Sequence, residues 1–507
     1  MHHESIYIGA TTMFESAELG HRIGKEAYKR EVPALRKALL DAQYDLAEAK
    51  KCPVIILIGG VDGAGKGETA NLLNEWMDPR HISTHAFGPL SDEESKRPPM
   101  WRFWRVLPPK GKIGIFFGSW YTAPIVQRVY GNIKNAELTQ HLDEIVRFES
   151  MLIDEGALII KLWFHLSKDK QKFRIKTLQK DPKTRWRVTE VDIKHLKLYD
   201  KFRNICGHVL SETSTAAAPW IVIEGYDANY RNLTTGKYIL SAIRKRLDQD
   251  TNQARKKPKS LAPPLLKPLD NLQILSTLDL GKSLAKKSYE TQLEKYQGKL
   301  NLLTREAKFR DISTIIAFEG ADAAGKGGSI RRITQAVDAR IYSVIPIAAP
   351  TEEERAQPYL WRFWRHIPRH GRLTIFDRSW YGRVLVERVE GFCSEQDWMR
   401  AYLEINDFEE QITLHHGVLL KFWLQISKEE QLKRFEERQE ISFKRFKITE
   451  EDWRNREKWD AYQSAVCDMV DRTSSSNAPW TLVEATDKNY ARIKILRTLC
   501  EQLEAAL

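Results

Sequence analysis

Short apolar runs alternate with longer amphipathic stretches along both halves of the chain, the pattern of a parallel sheet covered by helices. In the second half the apolar runs predict strands at Thr314–Phe318, Tyr342–Ile347, Leu373–Phe376, Val418–Leu424 and Thr481–Glu484. A helix is expected from Gly327 to Ala339. The densely charged stretch from Lys428 to Trp453 follows a strand and reads as a helical lid, or as a solvated helix face. The fold class is α/β.

The pattern recurs at a fixed offset. Gly60-Val-Asp-Gly-Ala-Gly-Lys-Gly67 aligns with Gly320-Ala-Asp-Ala-Ala-Gly-Lys-Gly327, and Trp101-Arg-Phe-Trp-Arg105 with Trp361-Arg-Phe-Trp-Arg365, both 260 positions apart. Ser119-Trp-Tyr121 and Ala218-Pro-Trp220 repeat at the same spacing as Ser379-Trp-Tyr381 and Ala478-Pro-Trp480. A repeat this long is a duplicated domain rather than a solenoid. The expected organisation is a first domain over 1–247, a basic, proline-containing connector over 248–270 and a second domain over 271–507.

Composition narrows the partner. Hydrophobic residues make up 42% of the 507 and charged residues 29%, as in a soluble globular protein. The net charge of +12 implies a polyanionic partner without choosing between nucleic acid, a membrane surface and a phosphate-rich substrate. Five scattered cysteines suggest neither a disulfide framework nor a zinc site, and a reducing cytoplasm fits them best. The opening Met-His-His-Glu-Ser carries no secretory pattern and no long apolar run occurs, so neither secretion nor membrane association is expected.

The chemistry centres on the glycine-rich loop. Gly320-x-x-x-x-Gly325-Lys326 leaves a predicted strand and enters a predicted helix, the context of a P-loop. Its small residues, Gly320, Ala323, Gly325 and Gly327, let backbone N–H groups converge on phosphate oxygens, and Lys326 can reach the transferred group. The usual Ser or Thr that holds Mg²⁺ after the lysine is replaced by Gly327, with Ser329 two positions later. Metal must then be held by Asp322 in the loop and Asp377 at the end of a second apolar run, although the same two residues also suit a turn and a cap. Arg362 interleaves with rings that read as core, and Arg438 and Arg445 of the charged stretch are further phosphate-binding candidates.

Glu319-Gly-Ala-Asp-Ala-Ala-Gly-Lys-Gly327, Trp361-Arg-Phe-Trp-Arg365 and Phe376-Asp-Arg-Ser-Trp-Tyr-Gly-Arg383 together resemble the second family of polyphosphate kinases, and the duplication resembles its two-domain class. The resemblance implies a tandem P-loop kinase-like fold with a helical lid, and transfer of the terminal phosphoryl group of inorganic polyphosphate to AMP. It implies Mg²⁺ as cofactor, with Mn²⁺ as the alternative ion. It also implies that Lys326 cradles phosphate, that Asp322 and Asp377 serve the metal and the acceptor phosphate, and that Arg378 and Arg383 bind phosphate. Two other enzymatic readings stay open, a polyphosphate-dependent kinase acting on ADP and a nucleotide kinase using ATP. A nucleic-acid partner would explain the charge but not the retention of Asp322, Lys326, Asp377 and Arg378, and no nucleic-acid module is recognisable. Homo-oligomer formation is compatible with the sequence.

The first copy keeps Asp62 and Lys66 but has Phe117, Gly118 and Ala123 where the second has Asp377, Arg378 and Arg383, and Gly59 where it has Glu319. An apolar Phe117 cannot ligate a hard cation, so the first copy is expected to be non-catalytic.

Overall fold

Runs rich in Ile, Leu, Val and Phe that are buried on both faces form the central strands of two five-stranded sheets, as parallel sheets require. The computed structural model describes residues 12–255, 273–440 and 450–507. Two units result. The first takes the described residues of Met1–Pro89, Arg102–Pro258 and Thr351–Trp361, the second those of Leu90–Trp101, Lys259–Pro350 and Arg362–Leu507, so each includes a short segment from the other repeat.

In the first unit strands β1 (Val54–Gly60), β2 (Ile82–Ala86), β3 (Ile113–Phe117), β4 (Leu158–His165) and β5 (Trp220–Glu224) lie in the order β2-β3-β1-β4-β5, all parallel. The second unit repeats the order with β6 (Ser313–Gly320), β7 (Tyr342–Pro346), β8 (Leu373–Asp377), β9 (Gly417–Gln425) and β10 (Trp480–Glu484), as β7-β8-β6-β9-β10. All five strands predicted for that half are present within a residue or two. Helices α1 (Lys25–Ala49), α2 (Lys66–Trp76) and α3 (Ala228–Arg255) belong to the first unit. Helix α3 runs past position 247, so the first residues assigned to the connector continue a helix.

Helices α4 (Lys286–Leu303), α5 (Lys326–Thr334), α6 (Lys428–Glu440), α7 (Glu450–Glu457) and α8 (Lys488–Ala506) belong to the second unit. Helix α5 stops at Thr334 rather than at Ala339. Its apolar face, Ile330 and Ile333, packs into a core with Ile316, Phe318, Ile375, Phe422 and Leu424 of the sheet and Ile495, Leu496 and Leu499 of α8. No helix among the described residues is long and apolar enough to cross a membrane.

One buried ionic knot occurs in both units and explains why Trp-Tyr recurs in both copies. In the second, Lys421 on β9 pairs with Glu409 at 2.7 Å and donates to the Thr473 carbonyl at 2.6 Å, while Trp380 Nε1 donates to Glu409 at 2.9 Å and the Tyr381 hydroxyl donates to the same carboxylate. Lys161, Glu149, Thr213, Trp120 and Tyr121 do the same in the first. A buried charge pair fully surrounded by donors and acceptors specifies one geometry, here that of the loop leaving the strand beside the P-loop.

Candidate active site

In a parallel α/β sheet the ligand sits beyond the carboxyl ends of the strands. Strand β6 delivers the P-loop there. Its backbone turns through left-handed residues, Ala323 at φ 64° and Gly325 at φ 110°, before α5 begins at Lys326. Gly320 admits no side chain, because a Cβ would stand 2.7 Å from the Leu424 carbonyl oxygen. Underneath, the buried Arg434 of α6 donates to the carbonyls of Ala323 at 3.0 Å, Ala485 at 2.9 Å and Thr486 at 2.8 Å, and its charge is met by Glu430. The charged stretch thus supplies a buttress for the loop as well as surface.

A cavity of about 470 Å³ opens over the loop. The structure brings Asp322, Ala323, Gly325, Lys326, Gly327, Asp377, Arg378 and Arg438 together in its lining. Lys326 Nζ donates to the Gly320 carbonyl at 2.8 Å and makes no ion pair among the described residues, so its charge is available to a phosphate. Asp322 accepts from Arg378 at 3.3 Å and from Asn455 of α7 at 3.0 Å. Asp377 ends β8 with its carboxylate in hydrogen-bond or ionic contact with no described residue. Ser329 is buried with its hydroxyl on the Gly325 carbonyl at 3.4 Å, so it does not replace the missing loop hydroxyl as a cation ligand.

Three described residues of the predicted set lie outside this lining. Arg362 is buried and donates to the Ala348 carbonyl at 3.0 Å, and Arg383 pairs with Glu387 at 3.1 Å. Gly320 lines a neighbouring recess rather than the cavity itself. Arg445 lies outside the described residues.

The structure adds residues that the motifs did not mark. Arg331, Arg332 and Arg492 also line the cavity, and Lys488 stands in an adjoining recess with Arg438 and Arg492. Burial pushes the Lys488 ammonium down from its ordinary value and the nearby Arg434 adds to the shift; burial likewise lowers Arg438. Such crowded, partly desolvated cations favour an anionic ligand. The offset of 260 could have found them, because Arg331, Arg332, Arg438, Lys488 and Arg492 correspond to Asn71, Leu72, Leu178, Ala228 and Asn232 in the first copy.

Glu319 was also missed. It is buried at the end of β6, and its carboxylate accepts from the Ser379 backbone N–H at 2.7 Å and the Ser379 hydroxyl at 2.8 Å. Burial raises its pKa against the pull of Ser379, Lys326 and Arg378. The adjacent Arg378 is held at φ 64°, a left-handed conformation that costs a non-glycine residue roughly 1–2 kcal/mol. The first copy has Gly59 in place of Glu319 and, in place of Arg378, Gly118 at φ 74°. The clamp and the strained arginine occur together and are lost together.

The first unit's loop is wired differently. Lys66 pairs with Asp62 at 3.1 Å, and Asp62 also meets His195 at 2.7 Å. Burial works the other way, but these two partners hold Asp62 well below the usual carboxylate range. Glu68 stands in the first turn of α2 where the second unit has Gly328, and pairs with the buried Arg231 at 2.9 Å.

Comparison with known proteins places the chain in a family. The family model described as polyphosphate kinase 2 matches residues 22–251 and again 283–507. A curated polyphosphate:AMP phosphotransferase of Pseudomonas aeruginosa is 56% identical over 97% of this chain and 99% of its own, and one of Acinetobacter johnsonii is 36% identical over 92% and 95%. A crystal structure named for polyphosphate kinase 2 from Pseudomonas aeruginosa PA01 superposes with a TM-score of 0.88 at 54% identity, covering 97% of this chain and 99% of that one. The chain belongs to the polyphosphate kinase 2 family, in a form that carries the family domain twice.

Proposed function

We infer that the second unit transfers the terminal phosphoryl group of polyphosphate to AMP, releasing ADP and a chain one phosphate shorter. An oxygen of the AMP phosphate forms the new P–O bond as the terminal P–O–P bond breaks. What carries this reading is the single cavity in which an unpaired Lys326, the carboxylates Asp322 and Asp377 and a cluster of arginines converge. Phosphoryl transfer depends on positioning and charge neutralisation, which these groups can provide. Relatives that share almost the whole chain are named for the same donor and acceptor.

Asp322 and Asp377 are the residues that would hold Mg²⁺ or Mn²⁺. They are hard oxygen donors on one cavity, and no group of three or more metal-binding side chains occurs among the described residues. A small divalent ion bound by one or two carboxylates, with phosphate oxygens and water completing its shell, fits that donor set. When bound, the ion neutralises charge on the transferring group. The residues' own tasks are separate. Lys326 and Arg378 contact phosphate oxygens, the P-loop amides and the start of α5 orient them, and Arg331, Arg332 and Arg492 track the polyphosphate chain. A cytoplasmic setting suits the five free thiols.

The test supplies donors and acceptors separately. With AMP, Mg²⁺ and long-chain polyphosphate but no ATP, ADP should accumulate as polyphosphate shortens. Turnover only with ATP, or only with ADP as acceptor, would overturn the assignment.

A further inference from the structure

Beside its P-loop the first unit is apolar where the second is polar. Glu319, Asp377, Arg378 and Tyr462 of the second correspond to Gly59, Phe117, Gly118 and Phe202 of the first, so a polar group is absent at each of these wall positions. The space left is a cavity of about 250 Å³, against about 90 Å³ for the corresponding recess of the second unit. Gly59 lets the Trp163 ring lie against the strand, because a Cβ there would stand 3.0 Å from it. On another side the Thr12–Ala17 turn lays the buried Phe14 over the His165 ring, 4.5 Å between centroids, and Glu18 fixes the turn by meeting His165 at 2.8 Å.

The polar groups of this wall are already engaged within the protein. Lys66 and His195 both meet Asp62, at 3.1 and 2.7 Å, and Arg203 meets Glu18 at 3.9 Å. The Tyr199 hydroxyl donates to the Leu166 carbonyl at 2.8 Å, and the Thr122 hydroxyl accepts from the Ser119 backbone N–H at 3.1 Å. Trp163 Nε1, His165 Nδ1 and Gln171 Oε1 lack partners but have no accessible surface, so they do not face a ligand. What the cavity offers is rings and aliphatic side chains, among them Phe14, Phe87, Phe117, Phe202, Ile125 and Val126.

We propose that this cavity binds an uncharged aromatic molecule of two fused rings, in the unit that lacks the phosphate-binding cations. An apolar cavity gains by taking up an apolar guest, and since one of about 150 Å³ holds benzene, about 250 Å³ leaves room for a second fused ring. Walls made of rings favour an aromatic guest over an aliphatic one of equal size, through edge and offset contacts. A charged guest would be stripped of water and meet no unengaged opposite charge, because Lys66, Arg203 and Asp62 already have partners.

Calorimetric titration of the full chain with indole tests this. One saturable site is expected, and saturating AMP should leave its affinity unchanged. Indole-3-acetate, the same rings bearing a carboxylate, should bind at least about tenfold more weakly. Val126→Trp fills the cavity and should abolish the binding, and the smaller Val126→Phe should weaken it about tenfold. No saturable site for indole, equal affinity for its carboxylate derivative, displacement by AMP, or an unchanged affinity in either folded variant would overturn the proposal. Should Val126→Trp fail to fold, Val126→Phe and the two comparisons on the unaltered chain decide it.

Discussion

The two units share a strand order, a buried Lys–Glu–Tyr knot and a P-loop lysine, yet their lysines are engaged differently. Lys326 rests on a carbonyl with its charge unspent, whereas Lys66 is neutralised by Asp62. The cause lies across the loop. In the second unit Asp322 is occupied by Arg378 and Asn455, and in the first, with Gly118 at the arginine's position, the carboxylate turns to the lysine and to His195. The group that occupies the neighbouring aspartate thus differs between the units, and with it whether the P-loop lysine carries an ion pair. The difference extends outward to five further cations of the cavity and its adjoining recess, none of which the first copy keeps. The apolar core and the knot are common to both units.

The sharpest way to break this comparison is to remove Asp377. Asp377→Asn keeps the shape and deletes the charge proposed to hold the metal, and should lower kcat by about a thousandfold or more with an unchanged thermal melt. Substantial turnover by the folded variant would end the metal assignment. Restoring a carboxylate on the other side, Phe117→Asp, should add nothing to the residual turnover of a Lys326→Ala background, because the arginines around it are still missing. Lys326→Ala by itself should cost at least about a hundredfold in kcat, and Lys66→Ala close to nothing. The reverse outcome would place the active site in the other half.

Glu319 sharpens the comparison at a smaller scale. If the carboxylate serves Arg378 by pinning Ser379, Glu319→Gln should lower kcat about tenfold in the wild-type background and hardly at all on top of Arg378→Gly. Equal losses in both backgrounds would show that Glu319 acts independently of the arginine.

Much of this was legible in the sequence because the periodic signals were strong. Each strand of the second unit is an apolar run long enough to cross the sheet, and the P-loop stood between a strand and a helix as read. Asp322, Lys326 and Asp377 could be named from the loop and the strand end because strand termini in a parallel sheet all point toward one ligand site, whereas Arg378 was named through the family resemblance. Arg492 and Asn455 were not legible, since each sits on a helix far along the chain and reaches the cavity only through packing. Arg434 misled in the opposite sense: a charge in a highly charged helix reads as solvated, but the P-loop's inward carbonyls bury it. Glu319 was quoted within a motif and given no role, because its task is to hold a backbone turn that no linear pattern displays.

The smallest expected effect concerns the outer cations, and it separates holding the chain from reacting with it. Arg492 lines the cavity from α8 and its first-unit counterpart is Asn232. It is one of several basic residues there, so a polyanion that loses it keeps the others, and the reacting phosphate keeps Lys326 and Arg378. Arg492→Ala should therefore raise the apparent KM for long-chain polyphosphate about three- to tenfold, the scale of one charge-assisted contact at a wet site, and leave kcat within about twofold. Polyanion binding also releases counterions, so the slope of log KM against log salt should flatten by about one for each contact removed. Asn232→Ala should change neither quantity. A kcat loss as large as that of Lys326→Ala would move Arg492 to the reacting phosphate, and an unchanged salt slope would remove it from the polyphosphate path.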